Sequence, residues 1–208
     1  MSLLEIKDLY KEFSNGKSRF TAVDNVSLHI EEGECLGIVG ESGCGKSTTA
    51  SLVMHLKEAD GGRIIFDGRE LDTRQAVKES RKNLQMIFQN PVDSFDPRYT
   101  LLNSVKQGLK YFENPGKAEL ERRAKEAIEY VGLKSSYYNR KICQLSGGEC
   151  QRAAIARAIV SPPKLLICDE ATSALDVSVQ AQIITLLKHL QKEKNMAYMF
   201  ITHDLLLA

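Results

Sequence analysis

Apolar positions along this chain follow two periods. From Leu3 to Leu9 and from Val26 to Ile30 they roughly alternate with polar ones, the pattern of antiparallel strands with one wet face. Three other runs, Cys35 to Val39, Lys164 to Cys168 and Ala197 to Ile201, are almost continuously apolar and predict strands covered on both faces, as in parallel sheets. Between about Asn90 and Pro162 the pattern turns helical. Leu120, Ala124, Ala127, Ile128 and Val131 share one helix face, with Pro115 before it and Gly132 just past its end. A second helix is predicted from about Val177 to Lys192, burying Val179, Ile183, Leu186, Leu187 and Leu190. Buried strands alternating with helices predict an α/β core, here with a helical insert.

The length, 208 residues, fits one domain. With 28 Lys+Arg against 27 Asp+Glu the net charge is +1, so no overall field favours a nucleic-acid backbone, and none is expected as partner. No run approaches the roughly 18 apolar residues of a membrane span, and Ser2-Leu3-Leu4-Glu5-Ile6-Lys7 lacks the basic and apolar regions of a signal peptide. The five cysteines (35, 44, 143, 150 and 168) include no C-x-x-C pair, which argues against zinc and for free thiols in a reducing compartment.

Gly40-Glu41-Ser42-Gly43-Cys44-Gly45-Lys46-Ser47 follows a predicted buried strand and opens a helix, so G-x-x-x-x-G-K-[ST] stands in the context that confirms it. Its glycines let backbone N–H groups curl around an anion, and the helix N-terminus adds partial positive charge. Lys46 can reach terminal phosphates and Ser47 can ligate Mg²⁺. A nucleoside triphosphate also needs a carboxylate for its metal and a group that activates water. Asp169 and Glu170 supply both at the C-terminal end of a buried strand, where open α/β sheets hold their ligands. No N-K-x-D sequence is present to read guanine.

Leu145-Ser146-Gly147-Gly148-Glu149-Cys150-Gln151-Arg152 resembles the LSGGQ signature of ATP-binding cassette (ABC) ATPases, with Glu where Gln is commonest. Gln89 in Phe88-Gln89-Asn90-Pro91 resembles that family's Q-loop, Ser173-Ala174-Leu175-Asp176 its D-loop, and His203 in Ile201-Thr202-His203-Asp204 its switch histidine. The resemblance implies a P-loop NTPase fold: a mostly parallel ABC core over about 1–89 and 162–208, an N-terminal antiparallel β subdomain, and a helical subdomain over about 90–161.

It implies ATP and Mg²⁺ as cofactors, with Gly40 to Thr48 around the phosphates and Ser47, Gln89 and Asp169 at the metal. Glu170 would activate water, assisted by His203, Gln89 and Lys46, and Phe13 would stack on adenine. Ser146, Gly147, Gly148 and Asp176 would complete a site on a second cassette, in a head-to-tail homo- or heterodimer. His29, His55 and His189 have no motif around them and are assigned no role.

Phe88-Gln89-Asn90-Pro91-Val92-Asp93-Ser94-Phe95-Asp96-Pro97-Arg98 resembles the F-Q-[DN]-P-x-x-S-x-[ND]-P-R pattern of bacterial oligopeptide, dipeptide and nickel importers, as does the stretch from Glu170 to Ile183. That implies a peripheral subunit on the cytoplasmic face of the bacterial plasma membrane. Permeases would dock on the helical insert, fed by an extracytoplasmic binding protein, with peptide or nickel as cargo. The alternative is an ABC ATPase of a non-transport complex, such as one degrading phosphonates. Cassettes of this group continue past the switch histidine, so the five residues after His203 suggest a cassette whose C-terminal part is missing.

Overall fold

The computed structural model describes residues 2–14, 16, 18–173 and 175–204. Met1, Ala174 of the D-loop resemblance and the apolar end 205–208 lie outside the described residues. The chain divides into two compact units: residues 1–86, 164–169 and 195–208 form the first, residues 87–163 and 170–194 the second.

Two sheets build the first unit. Strands β1 (Ser2–Ser14) and β2 (Arg19–Glu31) pair antiparallel, and β4 (Gly61–Phe66) pairs antiparallel with β1 and with the short β5 (Arg69–Glu70), giving the order β2-β1-β4-β5. The second sheet runs β3-β8-β7-β6, where β3 is Cys35–Val39, β6 Leu84–Ile87, β7 Leu165–Asp169 and β8 Ala197–Thr202. Both β3 and β7 run parallel to the central β8. One apolar cluster, including Leu4, Ile6, Leu9, Ile30, Leu52, Leu165, Ile167, Met199 and Ile201, joins residues of both sheets and of helix α1 (Lys46–Val53). Each such fully buried side chain contributes on the order of 1.5–3 kcal/mol relative to exposure.

The alternation over Leu3 to Leu9 is interrupted, because Leu3 and Leu4 are both buried and the β1–β2 register shifts between Ser2 and Leu4 and between Ile6 and Leu9. A bulge lets adjacent residues face the same core. Strands β7 and β8 are buried throughout, as their apolar runs predict. Strand β3 departs from the expectation of a doubly covered strand. Among the described residues it pairs with β8 alone, with Cys35 and Gly37 exposed and the other three residues half-buried.

The second unit is helical. Helix α3 (Leu101–Phe112) is capped by Thr100, whose hydroxyl accepts from the Asn103 amide at 3.4 Å. Helix α4 (Lys117–Tyr130) buries Ala124, Ala127 and Ile128, and Gly132 beyond it takes the positive φ, +83°, typical of a helix end. Helices α3, α4 and α5 (Gly147–Ile159) pack on one another, and Leu101, Val105, Leu109, Ile128 and Ile155 on them are fully buried. The unit extends beyond the 90–161 limits expected for the helical subdomain and takes in α6 (Val177–Lys194). The polar ties are visible: Arg152 donates to Gln182 at 2.9 Å, the Tyr130 hydroxyl donates to Glu193, and the Tyr130 ring stacks on His189. Helix α6 buries Ile183, Leu187 and Leu190, while Val179 and Leu186 are half-buried. The short helix α2 (Arg74–Ser80) belongs to the first unit.

Candidate functional site

In the first unit, residues 40–45 lead from β3 into α1. Gly45 has φ +101°, and a Cβ there would lie 2.1 Å from the Ala22 carbonyl oxygen, so only glycine lets the loop lie on β2. Lys46 is 7% exposed, and its ammonium donates to the carbonyls of Gly40 and Glu41, each at 2.7 Å. Its Nζ also lies 3.7 Å from Cys44 Sγ. Ser47 Oγ donates to Asp169 Oδ1 at 2.8 Å, across 122 residues of sequence, which sets the hydroxyl beside the carboxylate ending β7. Hard oxygen donors of this kind suit Mg²⁺. Glu41, Ser42, Gly43 and Cys44 are exposed, Thr48 is half-buried, and His203 is exposed just after β8.

Phe13 is half-buried on β1, opposite the exposed Phe20 of β2. Two ammonium groups lie over its ring, Lys57 at 4.7 Å and Lys11 at 5.5 Å from the centroid. Lys11 is held by Asp60 at 2.9 Å.

In the second unit, Gln89 Nε2 donates to Glu170 Oε2 at 2.7 Å. Glu170 holds φ +46°, an unusual backbone for a side chain of its kind, and its carbonyl accepts from both the amide and the hydroxyl of Ser173. Ser146 caps α5: its hydroxyl accepts from the Glu149 amide at 3.4 Å while Glu149 Oε2 accepts from the Ser146 amide at 2.8 Å, a reciprocal capping box. Tyr137 donates to Glu149 Oε1 at 2.5 Å. These bonds, Tyr137 first, hold the Glu149 carboxyl below the ordinary glutamate range. Gly148 accommodates Val179, whose Cγ1 would lie 2.7 Å from a Cβ. Asp176 is exposed at the start of α6, and its carbonyl accepts from the Gln180 amide at 2.8 Å.

The predicted residues thus assemble as Lys46, Ser47 and Asp169 in one unit and as Gln89 with Glu170 in the other, which also carries the capped turn Ser146 to Gly148. Tyr137 and Lys57 belong to these settings too, yet no motif contains either.

The family model for the ABC transporter matches residues 23–173, well over half of the chain. The chain belongs to the ABC transporter family. It is the ATPase domain of that family, and this cassette is 45% identical, over 98% of its length, to the oligopeptide transport ATP-binding protein OppF of Bacillus subtilis, of which it spans 68%. The OppF of Escherichia coli K12 is 44% identical and is spanned to 64%. The cassette therefore covers about two thirds of the length of these relatives. Among solved structures it resembles the dimeric cassette MJ0796 bound to ADP and Pi, with TM-score 0.90 at 31% identity over 99% of this chain and 90% of that one. It also resembles cbiO1 of Clostridium perfringens, part of the complex cbiONQ, with TM-score 0.84 at 28% identity over 98% of this chain and 79% of that one. Among the described residues no helix is long and apolar enough to cross a membrane.

Proposed function

We propose that this cassette hydrolyses ATP to drive an oligopeptide importer. The observation that carries the reading is the Ser47–Asp169 contact beside the Lys46 loop, which joins a phosphate-binding element to a carboxylate on a different strand. Bound Mg²⁺, held by Ser47, Asp169 and Gln89, would neutralise phosphate charge. The phosphates compete with the Gly40 and Glu41 carbonyls for the Lys46 ammonium, and the backbone N–H groups from Glu41 to Thr48 receive their oxygens. Adenine takes the face of Phe13 that Lys57 covers.

Glu170 accepts a proton from the attacking water and His203 orients the γ-phosphate. Gln89 releases Glu170 as it turns toward the nucleotide. A second cassette supplies Ser146, Gly147, Gly148 and Asp176, as two ATP molecules close a head-to-tail dimer. Permeases dock on the helical subdomain, about 90–161, so the subunit works at the cytoplasmic face of the membrane. The names of the relatives favour peptide over nickel as cargo and transport over a non-transport complex.

Nucleotide titration tests the enzymatic part: Lys46→Ala should weaken MgATP binding by at least about tenfold, the cost of one charge-assisted phosphate contact. Parental affinity would overturn the site. Uptake of a labelled oligopeptide in a strain lacking its own oligopeptide ATP-binding protein tests the cargo, and restored nickel uptake without peptide uptake would overturn it.

A further inference from the structure

Arg157, in the last turn of α5, has a set of partners that the proposed reaction does not use. Its Nη1 donates to the Ser94 carbonyl, its Nη2 donates to Ser94 Oγ at 2.8 Å, and its guanidinium lies 4.2 Å from the centroid of the Phe95 ring. Among the described residues no carboxylate forms an ion pair with it. Burial pulls its pKa down, which marks a cation withdrawn from water. A cation at a helix C-terminus is favourable by itself, but the macrodipole asks for charge only and would be satisfied by a solvated lysine. Here the planar fork and its stacking face are both used, which lysine does not reproduce.

The partners of Arg157 belong to the turn that follows Gln89. That turn is closed upon itself: Asn90 donates to Asp93 at 2.5 Å, Ser94 Oγ donates to the Pro91 carbonyl at 2.6 Å, and the amides of Ser94 and Phe95 donate to the carbonyls of Pro91 and Val92. Asp96 accepts four bonds from the amide and guanidinium of Arg98. Phe95 is buried at 7% exposure, so the turn is anchored. The other end of α5 is equally fixed, by the Ser146–Glu149 capping box and by Tyr137, and between them Ala153, Ala154, Ile155, Ala156 and Ala158 are buried. At 1.5 Å per residue the helix carries a push at Arg157 about 15 Å to Gly147.

We propose that Arg157 is a positioning residue that bolts the turn after Gln89 to the signature helix, so that displacement of Gln89 reaches Ser146 to Gly148 as movement of one body. The inference rests on the reading of Gln89 and the signature as nucleotide-responsive. Coupling of this kind requires a contiguous stiff element with contacts at both ends, and α5 with Arg157 supplies it.

Hydrogen exchange read by mass spectrometry tests the bolt, at a protein concentration where sedimentation shows monomers, so that a second copy cannot contact the signature. In the parental chain MgATP should change exchange in residues 88–98 and in residues 145–151 together. In Arg157→Lys the response of 88–98 should persist while that of 145–151 falls at least about fivefold, the lower end of ordinary allosteric couplings. Ser94→Ala, which removes the hydroxyl that accepts from Arg157 and donates to the Pro91 carbonyl but leaves the Ser94 carbonyl as an acceptor, should lower the second response by less, and keeps the test decisive if the arginine variant fails to fold. Parental linkage in both variants overturns the bolt alone. A parental chain whose residues 88–98 ignore MgATP overturns the reading beneath it.

Discussion

Glu170 sits at φ +46° and is held by Gln89 on its carboxylate and by Ser173 on its carbonyl. A non-glycine residue in this region costs on the order of 1 kcal/mol and persists where surrounding contacts impose it, as at functional sites. Glu170→Gln keeps the shape and the acceptor for Gln89 but removes the base. Turnover should fall by at least about 100-fold, the contribution of a general base, while MgATP still binds. Hydrolysis at the parental rate would remove Glu170 from the reaction.

Cys44 makes a second residue-scale prediction. Its thiol is exposed, 3.7 Å from the Lys46 ammonium and two residues before that lysine in the loop. An exposed thiol inside this loop is open to alkylation, and the bulky adduct would occupy the space that phosphate needs. Maleimide should abolish ATPase activity, MgATP should protect, and Cys44→Ala should be resistant; a fully labelled, active cassette would refute this. At this scale the sequence was legible where covalent spacing dictates geometry, as from Gly40 to Ser47. The meeting of Ser47 with Asp169 was legible because phosphate chemistry demands it. The bonds of Tyr137 to Glu149 and of Arg157 to Ser94 were not, since tertiary packing alone brings those residues together.

Among the elements, β7 and β8 could be read directly because apolar runs buried on both faces leave no polar side. The same pattern in β3 does not specify its neighbours: a continuous apolar run says nothing of position within a sheet, and among the described residues β3 pairs with β8 alone. Helix α5 lies within the stretch from Asn90 to Pro162 that reads as helical, but the state of its cap required the structure. Glu149 has a folded pKa below its ordinary value of 4.5, caused first by the Tyr137 hydroxyl and then by the Ser146 amide. A depressed carboxylate contributes stability that is fully present above about 4.5 and lost as pH falls from there through the folded value. Glu149→Gln retains a capping side chain without the charge. It should change stability at neutral pH by less than about 1 kcal/mol, the scale of a charge at a helix end, and flatten the acid side of the profile. Thermal melts from pH 7 to pH 3 check this, and an unchanged acid slope would show that Glu149 does not carry it.

At the scale of the molecule, the loop from Gly40 to Ser47 and the turn from Ser146 to Gly148 belong to different compact units of one chain. Helix α6 groups with the helical unit, tied to it by hydrogen bonds from Arg152 and Tyr130 that a hydrophobic period does not register. If ATP is sandwiched between the loop of one cassette and the signature of another, two variants dead for opposite reasons should rescue each other. Lys46→Ala disables the loop. Gly147→Asp disables the signature with little cost to folding: a Cβ there meets Leu175 at an ordinary 3.6 Å, and a carboxylate in the first turn suits the helix dipole while repelling phosphate. A mixed dimer then holds one site with an intact loop from the Gly147→Asp chain and an intact signature from the Lys46→Ala chain. Mixing the two inactive proteins should restore ATPase activity that neither has alone, rising with the fraction of mixed dimers. Absence of recovery, with mixed dimers demonstrated by differential tags, would rule out the shared site between copies of this chain and assign the second cassette to a different subunit.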